Sequence, residues 1–179
     1  MIDFRIVLVE DSVSDVLLIK EALRHHGVDH SLEHYINGED AAQAIAVAVD
    51  APDLFLLDLN VPRVHGLELL RIIRELPAMA HVPVAIITSS RAASDRAQSQ
   101  QLGADAYIVK PLGYTDFKNN VGQTIADLLR RKPRAVCEHR FLRTSAPADS
   151  ARRAARRRST TPGRSRSEYR SPRFSLREF

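Results

Sequence analysis

The amino-acid sequence predicts an α/β fold in residues 1–132: a five-stranded, doubly wound parallel sheet with helices on both faces. Short apolar runs rich in branched side chains alternate five times with segments whose apolar residues recur at helical spacing. The connections between these segments are short, and right-handed crossovers leave few topologies for such a chain. A five-stranded doubly wound sheet is the economical one, and we expect its strands in the order 2-1-3-4-5, a common order for such sheets.

The first two repeats differ in the strength of their strand patterns. The strand predicted at residues 4–9 (FRIVLV) is apolar except for one Arg, and the helix at 12–26 has an apolar face and ends at Gly27. In the second strand, at 32–36, His and Glu interrupt the apolar pattern, which favours a position near the sheet edge. The helix at 38–49 is rich in Ala, which lets it lie close to the sheet.

The remaining three repeats are bounded by prolines and polar turns. The predicted strands lie at 53–57, 82–88 and 106–109, and the predicted helices at 65–76, 92–102 and 115–129. The third helix stops before Pro77, and the fourth helix is unusually polar. Five successive βα units of this kind bring the carboxyl ends of all five strands to one edge of the sheet.

The periodic pattern ends after residue 132, and residues 133–179 differ in charge from the rest. Residues 1–133 contain 13 Lys and Arg against 18 Asp and Glu, a net charge of −5, whereas residues 134–179 contain 13 Arg against four acids, a net charge of +9. This Arg-rich tail has too few large apolar residues to offset the entropy lost on ordering, so disorder is predicted. Contact with nucleic acid, docking on an acidic surface and no selected role all remain open for it.

Composition also limits the class of protein. No apolar stretch reaches the roughly 20 residues that a membrane helix needs, and the N-terminus lacks the pattern of a secretion signal. A single cysteine, Cys137, excludes an internal disulfide and suits a reducing compartment. We therefore expect a cytoplasmic protein without membrane association.

Polar residues stand where four of the predicted strands end. Glu10 and Asp11 follow the first strand, Asp58 follows the third, Thr88 ends the fourth and Lys110 follows the fifth. Doubly wound sheets bind ligands at the carboxyl ends of their strands, so these side chains are expected to converge. Grouped carboxylates require a counter-ion, and Mg²⁺ suits carboxylates together with a backbone carbonyl and water. Each residue taken alone also has an ordinary explanation, as a helix cap, a turn residue, a strand end or a surface lysine.

Four segments resemble the receiver domains of two-component response regulators, which have a flavodoxin-like, CheY-like fold. They are VLVEDS at the first strand, LLDLNVPRVHGLELLRIIR around the third, AIITSS at the fourth and GADAYIVKPL at the fifth. The resemblance covers residues 4–130. Its Asp-Leu-Asn-x-Pro-Arg loop and its Tyr-Ile-Val-Lys-Pro-Leu-Gly-Tyr-x-Asp-Phe stretch are similar to those of single-domain regulators that partner phytochrome-like histidine kinases.

The resemblance implies a phosphoacceptor and a metal site. Asp58 matches the aspartate that receives the phosphoryl group. The ligands of Mg²⁺ would be Glu10, Asp11, Asp58 and the backbone carbonyl of Asn60. Many receivers have Asp where this chain has Glu10, but the phytochrome-associated subgroup also has Glu.

The resemblance further implies residues that contact the phosphoryl group and transmit the change. Thr88 and Lys110 match the hydroxyl and the ammonium that contact the phosphoryl oxygens. Tyr107 matches the aromatic switch residue, and Pro111 suggests a cis Lys110–Pro111 bond that orients the lysine inward. Thr88 would turn toward the new charge, Tyr107 would rotate inward, and the surface around it would repack.

The expected function is therefore that of a signalling receiver, which is not an enzyme acting on other substrates. A phosphohistidine on a sensor histidine kinase would be the donor, and the resemblance also allows a homodimer; the downstream protein target is not indicated. Two other classes remain open: an Asp-nucleophile phosphatase on a similar scaffold, and a nucleic-acid-associated regulator that acts through the basic tail. The phosphatase would require Asp-x-Asp directly after the first strand, where this chain has Glu10-Asp11-Ser12.

Overall fold

The computed structural model describes residues 3–131 of the 179-residue chain. Strand and helix alternate five times along it. The elements are β1 (Phe4–Val9), α1 (Val13–His25), β2 (His30–Tyr35), α2 (Gly38–Val47), β3 (Leu54–Leu57), α3 (Gly66–Glu75), β4 (Val84–Thr88), α4 (Ala93–Gln101), β5 (Ala106–Val109) and α5, which comprises Tyr114–Asp116, a π-helical stretch at Phe117–Val121, and Gly122–Arg131. The Arg-rich tail and the predicted boundary after residue 132 lie outside the described residues, so both stay predictions.

The five strands form one parallel sheet in the order β2-β1-β3-β4-β5, which confirms the predicted fold class and strand order. The strand β1 lies between β2 and β3, and its last residue, Val9, pairs with Tyr35 on one side and Leu57 on the other. At the other edge, Thr88 pairs with Val109. The order reverses at β1, so the crevice of this sheet lies beyond the carboxyl ends of β1 and β3.

Helices cover both faces of the sheet, and the strands carry apolar residues on both faces because both are buried. Successive residues of β1 point to opposite sides. Ile6 and Leu8 belong to one buried cluster with residues of α1 and α5, and Val7 and Val9 belong to a second cluster with residues of α2 and α3. The sheet is therefore held rigidly between two cores, and its strand ends are fixed relative to one another.

The helices α1 and α2 begin at side-chain caps that the sequence supplies. The Ser12 hydroxyl accepts a hydrogen bond from the backbone N–H of Asp15 at the start of α1. The Asn37 side chain does the same for the N–H of Asp40 at the start of α2, at 2.9 Å. Gly27, which follows α1, has a φ of +65°, a conformation that glycine adopts without strain.

The structure differs from the prediction at several element ends. The strand β2 begins at His30 and ends at Tyr35, because all six residues pair with β1, whereas the apolar pattern indicated 32–36. Ile36 lies beyond this pairing and is 59% exposed. The prediction that β2 is an edge strand is confirmed. The last helix extends from Tyr114 to Arg131, longer than predicted, because apolar spacing does not report the polar turns at its ends.

Candidate functional site

Backbone hydrogen bonds extend the sheet past the ends of its central strands. The N–H of Glu10 donates to the Tyr35 carbonyl at 3.0 Å, and the N–H of Asp58 donates to the Val9 carbonyl at 2.9 Å. Glu10 and Asp58 therefore leave neighbouring strands at the same level. Both side chains are buried, so the sheet itself determines where two of the predicted site carboxylates lie.

Glu10, Asp11 and Asp58 form a group, called here the acidic cluster. One carboxylate oxygen of each lies within 4.8 Å of those of the other two. Asp11 is exposed to solvent, so one side of the acidic cluster is open. Three acidic oxygens this close together are a donor set that fits a hard divalent cation such as Mg²⁺.

Lys110 brings the opposite charge to the acidic cluster from the end of β5. Its backbone N–H donates to the Thr88 carbonyl at 2.8 Å, which continues the pairing of β4 and β5 by one residue. Its ammonium Nζ donates to Asp58 Oδ2 and to Glu10 Oε2, each at 2.7 Å. The Lys110 side chain is only 9% exposed, so these contacts are shielded from water.

The Lys110 ammonium also donates to Asp15 Oδ2, again at 2.7 Å. Sequence reasoning missed Asp15, because it lies in the first turn of α1 and not at a strand end. One signal in the sequence could have indicated it. Asp15 follows the capping residue Ser12 by three residues, so it lies in the first turn of α1, which begins just beyond the carboxyl end of β1.

Burial and neighbouring charges shift the pKa values of the ionisable groups of this pocket in opposite directions. Burial raises the pKa of Glu10 above its ordinary value of 4.5, and the nearby Lys110 ammonium offsets this only in part. Burial alone would lower the pKa of Lys110, but its hydrogen bonds to three carboxylates outweigh that effect and raise the pKa above 10.5. Lys110 is therefore positively charged at neutral pH.

The second oxygens of two site carboxylates are held by backbone N–H groups. Asp58 Oδ1 accepts from the N–H of Asn60, and Glu10 Oε1 accepts from the N–H of Ser12, each at 3.1 Å. These bonds fix the orientation of both carboxylates before any ligand binds. The use of the Asn60 carbonyl as a metal ligand stays a prediction, as does the cis bond before Pro111.

Thr88 and Tyr107 are linked through a third residue, Ser90. The Thr88 hydroxyl is fully buried and accepts from the Ser90 N–H at 3.2 Å. The Tyr107 hydroxyl donates to the Ser90 carbonyl, also at 3.2 Å, and the Arg96 guanidinium lies 4.7 Å from the centre of the Tyr107 ring. The predicted hydroxyl and the predicted aromatic residue thus contact the same residue of the loop between β4 and α4.

Residues 6–121 match the family model of the response regulator receiver domain. This match spans more than half of the chain, which therefore belongs to the receiver domain family of two-component response regulators. It confirms the family that the sequence motifs indicate. None of the helices within residues 3–131 has the length and apolarity needed to cross a bilayer.

Comparison with individual proteins shows which members of this family the chain resembles. The response regulator Rcp1 of Synechocystis sp. is 34% identical over 120 residues, which cover 63% of this chain and 80% of that protein. The crystal structure of the phosphorylated cyanobacterial phytochrome response regulator RcpA superposes with a TM-score of 0.65 at 29% identity, covering 73% of this chain and 96% of that one. The Mn²⁺-bound form of Rcp1 superposes with a TM-score of 0.63 at 31% identity, covering 69% and 92%.

Proposed function

We propose that this protein accepts a phosphoryl group on Asp58 from the phosphohistidine of a sensor histidine kinase. The observation that supports this most directly is the contact of Lys110 Nζ with Asp58 Oδ2 at 2.7 Å, beside a group of carboxylates able to hold a cation. A nucleophile, a positive charge and a metal-binding donor set in one pocket are what phosphoryl transfer to a carboxylate requires.

The acidic cluster, with the Asn60 carbonyl, would bind Mg²⁺. When bound, the cation supplies positive charge against the phosphoryl oxygens and reduces their repulsion by the carboxylates. Two relatives support this part of the proposal, since Rcp1 was crystallised with Mn²⁺ and RcpA in a phosphorylated form.

The residues of this chain supply orientation and charge. A carboxylate oxygen of Asp58 attacks phosphorus while the P–N bond to the kinase imidazole breaks, and the imidazole leaves with the electron pair of that bond. The Asn60 N–H holds Asp58 Oδ1, so the carboxylate is oriented before the donor arrives. Lys110 then donates to a phosphoryl oxygen instead of to Asp58. The receiver modifies only itself, and for this reason we do not class it as an enzyme acting on other substrates.

Thr88 and Tyr107 would transmit the phosphorylation of Asp58 to a protein-interaction surface. The phosphoryl group adds roughly 1.5–2 negative charges and strong acceptor oxygens next to the end of β4. Thr88 would donate to one of them and change its contact with Ser90, which Tyr107 also contacts. The protein-interaction surface around β5 would thereby respond to Asp58. A phytochrome-like kinase as partner, a cytoplasmic setting and a homodimer remain parts of this proposal.

The test is phosphate-affinity electrophoresis after incubation with Mg²⁺ and either acetyl phosphate or phosphoramidate. The wild-type protein is expected to shift, and Asp58→Asn is expected not to shift. Asp127→Asn, which removes a half-exposed carboxylate from α5, should shift like the wild type. Equal shifts of wild type and Asp58→Asn, or no shift of the wild type with either donor, would contradict the proposal.

A further inference from the structure

The three N–H bonds of the Lys110 ammonium are directed to three different carboxylates. Glu10, Asp15 and Asp58 each accept at 2.7 Å. A lysine has three donors and no acceptor, so this arrangement uses its full hydrogen-bonding capacity. Any event that takes away one acceptor therefore leaves a donor free to turn toward another oxygen.

The three carboxylates differ in their other contacts. Glu10 and Asp58 belong to the acidic cluster, whose oxygens lie close enough to share one cation. Asp15 does not belong to that cluster. A cation bound by the acidic cluster would compete with Lys110 for Glu10 and Asp58, and phosphorylation would remove the negative charge of the Asp58 carboxylate. The contact with Asp15 is the one that neither event removes.

Asp15 is held in place by the start of α1. Its backbone N–H donates to the Ser12 hydroxyl at 3.3 Å. Val16 and Ile19, in the first two turns of the same helix, are buried in the core cluster that α1 forms with the sheet. The Asp15 side chain is 24% exposed, so it lies at the rim of the pocket on a rigid support. Lys110, by contrast, is a flexible four-carbon chain that loses entropy on being fixed.

We propose that Asp15 is a positioning residue that keeps Lys110 oriented toward Asp58 during phosphoryl transfer. With one N–H fixed by Asp15, the other two are directed at the acidic cluster, where a phosphoryl oxygen arrives. Removal of Asp15 leaves the ammonium free to sample other orientations. The inference rests on the proposed function, because positioning matters only if Asp58 reacts.

The kinetic test compares Asp15→Ala, Asp15→Asn and Asp15→Glu with Glu21→Ala. Glu21 lies on the same helix and pairs with Arg24, so its removal is a control for loss of one charge from α1. Asp15→Ala is expected to lower the maximal rate of Mg²⁺-dependent phosphorylation by acetyl phosphate about tenfold. The half-saturating Mg²⁺ concentration should change by less than about twofold, and Asp15→Glu should restore part of the rate.

A full maximal rate in Asp15→Ala would overturn the inference. So would a loss that saturating Mg²⁺ restores completely, since Asp15 would then act only on the cation. Asp15→Asn, which keeps the size of the side chain, distinguishes these outcomes from misfolding, and circular dichroism confirms the fold of each variant.

A second measurement does not depend on phosphoryl transfer. Nitrogen-15 spectra of lysine side chains detect ammonium groups whose protons exchange slowly because they are buried and hydrogen-bonded. The Lys110 signal is expected in the wild type and in Glu21→Ala, and is expected to be weaker in Asp15→Ala, because loss of one of its three hydrogen bonds speeds proton exchange. An unchanged signal in Asp15→Ala would contradict the positioning role of Asp15. If Asp58→Asn were phosphorylated like the wild type, the proposed function would fail while this spectroscopic result stood on its own.

Discussion

Glu10 is a residue of the pocket whose burial reduces the stability of the fold. Its side chain is about as buried as any core residue, at 1% exposure, and yet it is a carboxylate. Burying a charge is costly unless the charge is paired, and Lys110 is the cation that pairs with it. Lys110, however, is shared with Asp15 and Asp58, so the compensation is incomplete and the pKa of Glu10 is raised.

This incomplete compensation leads to a pH-dependent prediction. Because the folded state holds the Glu10 proton more tightly than the unfolded state, the stability that Glu10 contributes to the wild type is lost as the pH rises from 4.5 to the raised pKa. Glu10→Gln cannot lose a proton. The free energy of unfolding of Glu10→Gln minus that of the wild type is therefore expected to increase through this window and then level off.

Urea denaturation in buffer containing a chelator, from about pH 4 to about pH 8, measures this difference. Glu39→Gln, which changes an exposed glutamate in the first turn of α2, serves as the control. A difference that stays constant or shrinks with rising pH would show that Glu10 is not strained by burial.

The residues of the pocket could be predicted to different degrees. Asp58 and Lys110 were predictable because each stands directly after a strand, and a parallel sheet brings strand ends together. Asp15 was missed, since it lies in the first turn of α1 and not at a strand end, and its contact with Lys110 depends on the angle at which α1 leaves the sheet. The roles of Thr88, Tyr107 and Asn60 rest on the resemblance to receiver domains. The structure shows only which residues they contact.

At the scale of elements, the junction of α3 with β3 controls the shape of the pocket. The helix α3 begins at Gly66, whose N–H donates to the Leu59 carbonyl at 3.0 Å. A Cβ at this position would lie 2.3 Å from the Asp58 carbonyl oxygen and 2.8 Å from the Leu59 Cα. Backbone atoms cannot move aside cheaply, so only glycine allows the helix to start this close to Asp58.

Gly66→Ala is accordingly expected to destabilise the protein by about 1–3 kcal/mol and to displace Asp58. Urea denaturation gives the stability, and acetyl phosphate labelling gives the effect on the site. Gly113→Ala is the matched control, because the atoms nearest to a Cβ there belong to the Asp116 side chain, at 3.3 Å or more, and that side chain can rotate away. Its effect should stay within about 0.5 kcal/mol. Equal stability of the two variants would refute the steric argument.

The elements themselves were predictable where apolar pattern and backbone pairing coincide. The strands β1 and β5 lie where the sequence indicates them, because their apolar runs are the segments that pair. The ends of β2 were not, since an edge strand pairs on one side only and its polar residues conceal the pairing. The π-helical stretch at Phe117–Val121 also has no signature in the apolar spacing, which does not report the pattern of backbone hydrogen bonds.

At the scale of the whole molecule, the strand order and the pocket have one cause. Two apolar cores, one on each face, force the strands into a parallel sheet covered by helices. The reversal of strand order at β1 then opens a crevice beyond the strand ends, and acids and a lysine from distant parts of the sequence meet there. The fold class was therefore predictable from hydrophobic pattern alone, and the pocket followed from the fold.

The acceptor identity of Asp58 is the claim on which this account most depends, and chemical trapping tests it directly. The protein is incubated with Mg²⁺ and acetyl phosphate, and borohydride then reduces the acyl phosphate to an alcohol, which converts the modified aspartate to homoserine. Peptide mass spectrometry should locate homoserine at residue 58 in the wild type and nowhere in Asp58→Asn. Homoserine at another aspartate in place of residue 58, or a phosphorylated protein that yields none, would contradict the account.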